Sequence, residues 1–166
     1  MERGNYMSQV RQLLEPIYDE YSKILILGTF PSVESRKAQF YYANPRNRFW
    51  KVIAEIFKCS NYYIVSEKKN MIINNRIAIW DVIESCEITG SSDSSIKDVV
   101  PADLSILLDN ANIEKIYANG DKAFKLYMKY TYPVTQREII KLPSTSTANA
   151  KFSLDKLIDY WNCIKY

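Results

Sequence analysis

Asn44-Pro45-Arg46-Asn47-Arg48 is the densest chemical stretch of the chain, and Tyr41-Tyr42 stand just before it. An amide such as Asn47 cannot act as a general base at neutral pH. It can hold a water, or set a dipole beside developing charge. Guanidiniums pair with phosphate oxygens, and tyrosine rings offer faces on which a base can stack. Upstream, Gly28-Thr29-Phe30-Pro31-Ser32 combines small and turn-forming residues, which let backbone N–H groups approach an anion unobstructed. Backbone approach, stacking surface and cations, all within the span 28–50, point to a nucleic acid as the ligand.

The absence of histidine from all 166 residues prunes more chemistry than any residue present. It removes the commonest general base and transition-metal ligand, and with them Ser-His and Cys-His nucleophiles. Carboxylates, amides, hydroxyls, lysine and backbone dipoles remain. Cys59, Cys86 and Cys163 are widely spaced and match no metal-binding pattern, so free thiols are expected, and no metal or cofactor. The net charge of +3 is unevenly spread. Span 22–76 carries ten Lys/Arg against three Glu, span 120–166 carries eight against four acids, and span 81–114 has one Lys against eight acids. Both basic blocks hold the loops of interest, a polarity that fits a surface following a phosphate backbone; clustered solvated charge is the plainer alternative.

The length and an apolar fraction of 47% suit one domain spanning 1–166. No apolar run nears the ~20 residues needed to cross a bilayer. The opening MERGNYMSQVRQLLEPIY lacks the apolar core of a secretory leader, so a cytoplasmic protein without a membrane partner is expected.

These chemical residues need a frame. Hydrophobic periodicity predicts helices over Ser8–Tyr18, Arg48–Phe57, Leu104–Asn110 and Asp121–Tyr130, and one from a Ser153 cap to about Cys163. Strands are expected at Lys23–Leu27, Arg76–Trp80, Glu114–Ala118 and Glu138–Leu142, and the polar segment Ser85–Pro101 reads as an irregular surface excursion. Such alternation implies an α/β fold with a mostly parallel sheet and helices on both faces. Ligands of such sheets bind at the carboxyl ends of the strands. Three loops should therefore converge: Gly28–Asn47, the one beginning Trp80-Asp81-Val82, and Leu142–Ala150.

Four segments, GTFPSVES, FYYANPRNRFW, IAIWDVIESCEITGSSDSSIKD and LPSTSTANAKFS, resemble in order and spacing the deoxyinosine (hypoxanthine)-DNA glycosylase branch of the uracil-DNA glycosylase superfamily. The resemblance covers residues 23 to 161. It implies a three-layer α/β/α sandwich around a central four-stranded, mostly parallel sheet. It also implies cofactor-free hydrolysis of the N-glycosidic bond of a deaminated base flipped out of DNA. Hypoxanthine is the implied substrate. The alternatives are uracil or xanthine in the same pocket, or a non-catalytic DNA-binding module with a decayed pocket. The partner would be double-stranded DNA carrying the damaged base, or single-stranded DNA, met by a monomer. Extrusion costs a few kcal/mol, least for a poorly paired base such as hypoxanthine opposite thymine.

The family's catalytic asparagine maps onto Asn47, which also reads as the N-cap of the following helix; both roles are compatible. Gly28, Thr29, Phe30, Pro31, Tyr41, Tyr42 and Asp81 would line the base pocket, with Asp81 either reading a purine ring N–H or serving as a structural acceptor. Ser32, Arg46, Arg48, Pro143, Ser144, Thr145, Ser146, Thr147, Asn149 and Lys151 would contact DNA, and the tip Thr147–Ala150 would fill the hole left in the duplex. Several positions depart from the pattern. Phe30 stands where the uracil enzymes carry a water-orienting acid, and Leu142 where they offer histidine or asparagine. Ser32 replaces a usual glycine, Asn44 a usual histidine, and Thr147 a common proline. No lysine occupies a clear Schiff-base position, so a monofunctional enzyme leaving an abasic site is implied; Lys37 and Lys151 keep lyase chemistry open.

Overall fold

The computed structural model describes residues 8–165. Its elements follow as β1 (Ser8–Arg11), β2 (Ile24–Gly28), α1 (Val33–Ala38), α2 (Phe49–Ile56), α3 (Val65–Asn74), β3 (Ile77–Asp81), β4 (Ile83–Ile88), β5 (Lys97–Pro101), α4 (Ser105–Leu108), β6 (Lys115–Asn119), α5 (Asp121–Leu126), α6 (Tyr132–Thr135), β7 (Ile140–Leu142) and α7 (Leu154–Trp161). The four expected strands form one parallel sheet in the order β3-β2-β6-β7. β2 is buried along its whole length, as an apolar run covered on both faces must be.

Period-two alternation divides the core into two layers. Ile24, Ile26, Ile77, Ile79 and Tyr117 face one side, where Phe49, Trp50 and Ile53 of α2, Ile72 of α3, and Leu157 and Trp161 of α7 cover them. Leu25, Leu27, Ala78, Ile116 and Ala118 face the other, against Leu107 of α4, Ala123 and Leu126 of α5, and Cys86 and Ile88 of β4. The α/β/α sandwich holds, with part of its second outer layer built from strands. Ser153 caps α7 by accepting from Lys156 N–H (3.2 Å), and Trp161 Nε1 donates to Pro143 O (2.9 Å), tying α7 to the loop after β7.

Three expected elements take a different form, and α1, α3 and α6 lie where no helix was expected. The helix predicted over Ser8–Tyr18 is instead extended chain: β1 pairs with β4, and Ile17 exchanges both main-chain hydrogen bonds with Ile79 (3.0 and 2.9 Å). Pro16 explains this, since it has no N–H to donate and biases Glu15 away from helical geometry. Leu13, within that stretch, is 71% exposed. The segment Ser85–Pro101 is not irregular: it contains most of β4 and all of β5, in a three-stranded antiparallel sheet ordered β1-β4-β5. Register shifts between Ile83 and Glu87 break the alternation that would have revealed it. The helix expected over Asp121–Tyr130 keeps α geometry only to Leu126, then widens into a π turn over Tyr127–Thr131. Pro133 follows within α6 and cannot donate back to Lys129. Among the described residues no helix is long and apolar enough to cross a membrane.

Candidate active site

Parallel pairing sets Gly28 beside Asp81 and Asn119 beside Leu142, so the loops leaving these strands meet at one end of the sheet. They enclose a cavity of about 160 Å³. Gly28, Thr29, Phe30, Pro31, Tyr41, Tyr42 and Asp81 all line it, as does Asn47, so the proposed pocket residues are brought together.

Two features make the Asn47 geometry definite. Asn44 shapes the turn by accepting from Arg46 N–H through its side chain and from Asn47 N–H through its carbonyl (2.9 Å each). Asn47 Oδ1 then accepts from Phe49 N–H at the start of α2 (2.9 Å) and from Thr145 Oγ1 (2.8 Å). Thr145 is fully buried and is itself gripped by Asn119, whose Oδ1 accepts from Thr145 N–H and whose Nδ2 donates to Thr145 Oγ1, both at 3.0 Å.

Asp81 ends β3 with only 4% of its surface exposed, and its Oδ2 has no hydrogen-bond partner. Burial, reinforced by the nearby charge of Asp93, raises its pKa from 3.8 to about 7. Gly28 is required beside it, because a Cβ there would overlap Asp81 Oδ1 and stand 3.0 Å from Tyr42 Oη. Tyr42 has a left-handed backbone (φ 51°), a conformation costing roughly 1–2 kcal/mol in a non-glycine residue. It is held by stacking on Phe49 at 4.0 Å. Its Oη meets no partner in hydrogen-bonding geometry. Burial and Asp81 raise its pKa, against a smaller opposing pull from the Asn119 amide. Tyr41 is a core residue whose Oη donates to Glu15 O (2.7 Å), so only part of its ring faces the cavity.

The last wall comes from the hairpin tip between β4 and β5, which contributes Ser91 and Asp93. It is hooked to α1: Val33 N–H donates to Ser91 Oγ and Arg36 Nη2 to Gly90 O (2.9 Å each). Arg36 also lies over the Phe30 ring. Asp93's own pKa is raised by partial burial, with Lys122 opposing. Sequence reasoning missed Asn119, Ser91 and Asp93. Asn119 carried a signal, being a polar residue at the end of an apolar strand; the hairpin pair lay inside the third segment of the resemblance, where nothing singled out Ser91 or Asp93 from their neighbours.

The residues assigned to DNA contact divide. Arg46, Thr147 and Lys151 are exposed, and Ser32, Ser144 and Ser146 line the cavity. Arg48 is not a free cation. Its guanidinium donates to the carbonyls of Thr145 (3.4 Å), Ser146 (3.0 Å), Asn149 (3.2 Å) and Phe152, and so staples the loop after β7. Thr145 is too deeply buried to reach DNA, which corrects its assignment. Ser32 caps α1, accepting from Ser35 N–H (3.1 Å). Asn149 Nδ2 donates to Ser144 O (3.0 Å), and Pro143 O is taken by Trp161. The backbone N–H groups of Thr145, Ser146, Ala148 and Asn149 are all engaged within the protein.

The family model described as the uracil DNA glycosylase superfamily matches residues 15–165. A protein of Methanosarcina acetivorans named hypoxanthine DNA glycosylase is 35% identical over 142 residues, covering 84% of this chain and 89% of its own length. One of the same name from Methanosarcina barkeri is 34% identical over 118 residues, covering 68% and 73%. A solution NMR structure of a candidate uracil DNA glycosylase from Methanosarcina acetivorans superposes with a TM-score of 0.74 at 33% identity, covering 92% of this chain and 97% of that one.

Proposed function

The chain belongs to the uracil DNA glycosylase superfamily, and from that premise we propose that it hydrolyses the N-glycosidic bond of hypoxanthine in DNA. The observation that carries this reading is Asp81, a buried carboxylate with an unpartnered oxygen in the same cavity as Asn47. Hypoxanthine has a ring N1–H where adenine has a lone pair. Ionised, as it is above its pKa of about 7, Asp81 is a pure acceptor at that edge that admits the deaminated base and leaves the normal one unpaired, a strong form of discrimination. The two Methanosarcina relatives described above carry the corresponding name.

In this reading duplex DNA lies across the rim, with Arg46 and Lys151 on its phosphates. The extruded base enters between Phe30 and Tyr42. The C1′–N9 bond breaks with its electron pair leaving on the purine, and water oxygen bonds to C1′. One proton of that water ends on the departed base, and an abasic site remains. Asn47 contributes a fixed dipole at the charge that develops. The acting unit is a monomer. A second reading, uracil, rests on the same carboxylate, because uracil also presents a ring N–H.

The test is base release from duplexes carrying one deoxyinosine, uracil or xanthine, with alkali cleaving the abasic product. Single-stranded DNA and Asn47→Ala are run alongside. We expect inosine release, reduced at least ~100-fold in the variant, as for loss of one preorganised dipole. Release from no lesion, with DNA binding intact, would overturn the enzymatic reading in favour of a binding module.

A further inference from the structure

We propose that Asn119 and Thr145 are positioning residues that lock Asn47 as a hydrogen-bond donor, so that it serves the departing base and not the attacking water. The inference rests on Asn47 acting in catalysis. Its orientation is settled by groups whose polarity is unambiguous. Phe49 N–H can only donate, so the Asn47 atom it meets is the carbonyl oxygen. Thr145 N–H likewise fixes Asn119 Oδ1, which leaves Asn119 Nδ2 to donate to Thr145 Oγ1. With that lone pair engaged, the Thr145 hydroxyl directs its own hydrogen to Asn47 Oδ1 (2.8 Å). Every rotor in the chain Asn119–Thr145–Asn47 is thereby set.

Asn47 Oδ1 has two lone pairs and two donors on them. It has no capacity left to receive a hydrogen from water. Nδ2 donates to no group among the described residues, and it is the end that Asn47 can offer a ligand. An N–H dipole complements accumulating negative charge, and in glycosidic cleavage that charge gathers on the purine as the bonding pair departs. The same dipole opposes positive charge on the sugar. The lock therefore assigns Asn47 to the leaving group.

Asn47→Asp separates the two roles. Aspartate keeps an oxygen for Phe49 N–H and Thr145 Oγ1, so the local structure has the same anchors, while the donor end becomes an acceptor. Single-turnover release of hypoxanthine should fall in Asn47→Asp as far as in Asn47→Ala, at least ~100-fold. Thr145→Val should slow the same step about 10- to 100-fold with DNA affinity unchanged, and Thr145→Ser, which keeps the hydroxyl, should restore it to within a few-fold. Asn47→Asp retaining more than a tenth of the wild-type rate would overturn the donor assignment. Thr145→Val, folded by thermal melting and fully active, would overturn the positioning role. If Thr145→Val does not fold, Thr145→Ala, measured the same way, decides the positioning role, while Asn47→Asp still decides the donor assignment. Wild-type activity in Asn47→Ala would instead refute the role of Asn47 itself, a separate failure.

Discussion

Replacing Asp81 by asparagine should make the protein more stable at alkaline pH and leave it nearly unchanged at acid pH. The folded protein raises this carboxyl's pKa from 3.8 to about 7. A raised carboxyl pKa means that the folded state holds its proton more tightly than the unfolded chain. Its stabilising contribution is complete below pH 3.8 and is lost as pH climbs through the folded value. Each pH unit of that interval is worth about 1.4 kcal/mol, so ionised Asp81 costs the fold about 4 kcal/mol above neutrality, and about 2–3 kcal/mol of that develops between pH 5 and pH 8. The amide that replaces the carboxyl does not titrate. The assay is urea unfolding of wild type and Asp81→Asn at pH 5 and pH 8. Steric changes and the new amide's hydrogen bonds contribute equally at both pH values and cancel in the difference of differences. Relief of repulsion with Asp93 acts in the same direction. A stability difference between the two proteins that does not change from pH 5 to pH 8 would refute a buried, ionisation-averse carboxyl at this position.

Arg48→Met should destabilise the protein by about 2–4 kcal/mol, since charge-assisted hydrogen bonds contribute roughly 1.5–3 kcal/mol each but do not add when they share one donor group. It should leave the salt dependence of DNA binding unchanged. Arg46→Ala should do the opposite: stability within about 0.5 kcal/mol of wild type, and a salt slope shallower by about one, read from binding titrations at several salt concentrations. Gly28→Ala should lower both stability, by about 1–3 kcal/mol, and the rate of base release, because the new Cβ displaces Asp81. A wild-type urea midpoint would count against the close approach.

The parallel sheet was legible because Ile24–Leu27 and Arg76–Trp80 are runs too apolar to stand anywhere but between two covered faces. The convergence of Gly28, Asp81 and the loop after Leu142 followed from chain direction alone. Two kinds of feature stayed hidden. In the N-terminal arm, apolar spacing mimicked a helix, while the main-chain partners on Ile79 and β4 that hold it extended lie far away in sequence. At the site, residue type marked Arg48 and Thr145 as candidates but did not reveal which way each faces. Arg48 turns inward because four loop carbonyls need a donor, and Thr145 because it joins Asn119 to Asn47.

The cavity is shared between two separately hydrogen-bonded sheets, and this divides the molecule's labour. The floor, with Asp81, Asn119 and the anchors of Asn47, hangs from the parallel ladder. One wall is only a visiting hairpin tip, latched by Ser91 and by the carbonyl of Gly90. That tip can be lengthened, trimmed or rewritten without unpairing a strand of the parallel sheet. The architecture thus offers an exchangeable part beside a fixed one: a descendant of this chain can alter what its pocket admits by editing a single turn, while the machinery beneath it is inherited intact.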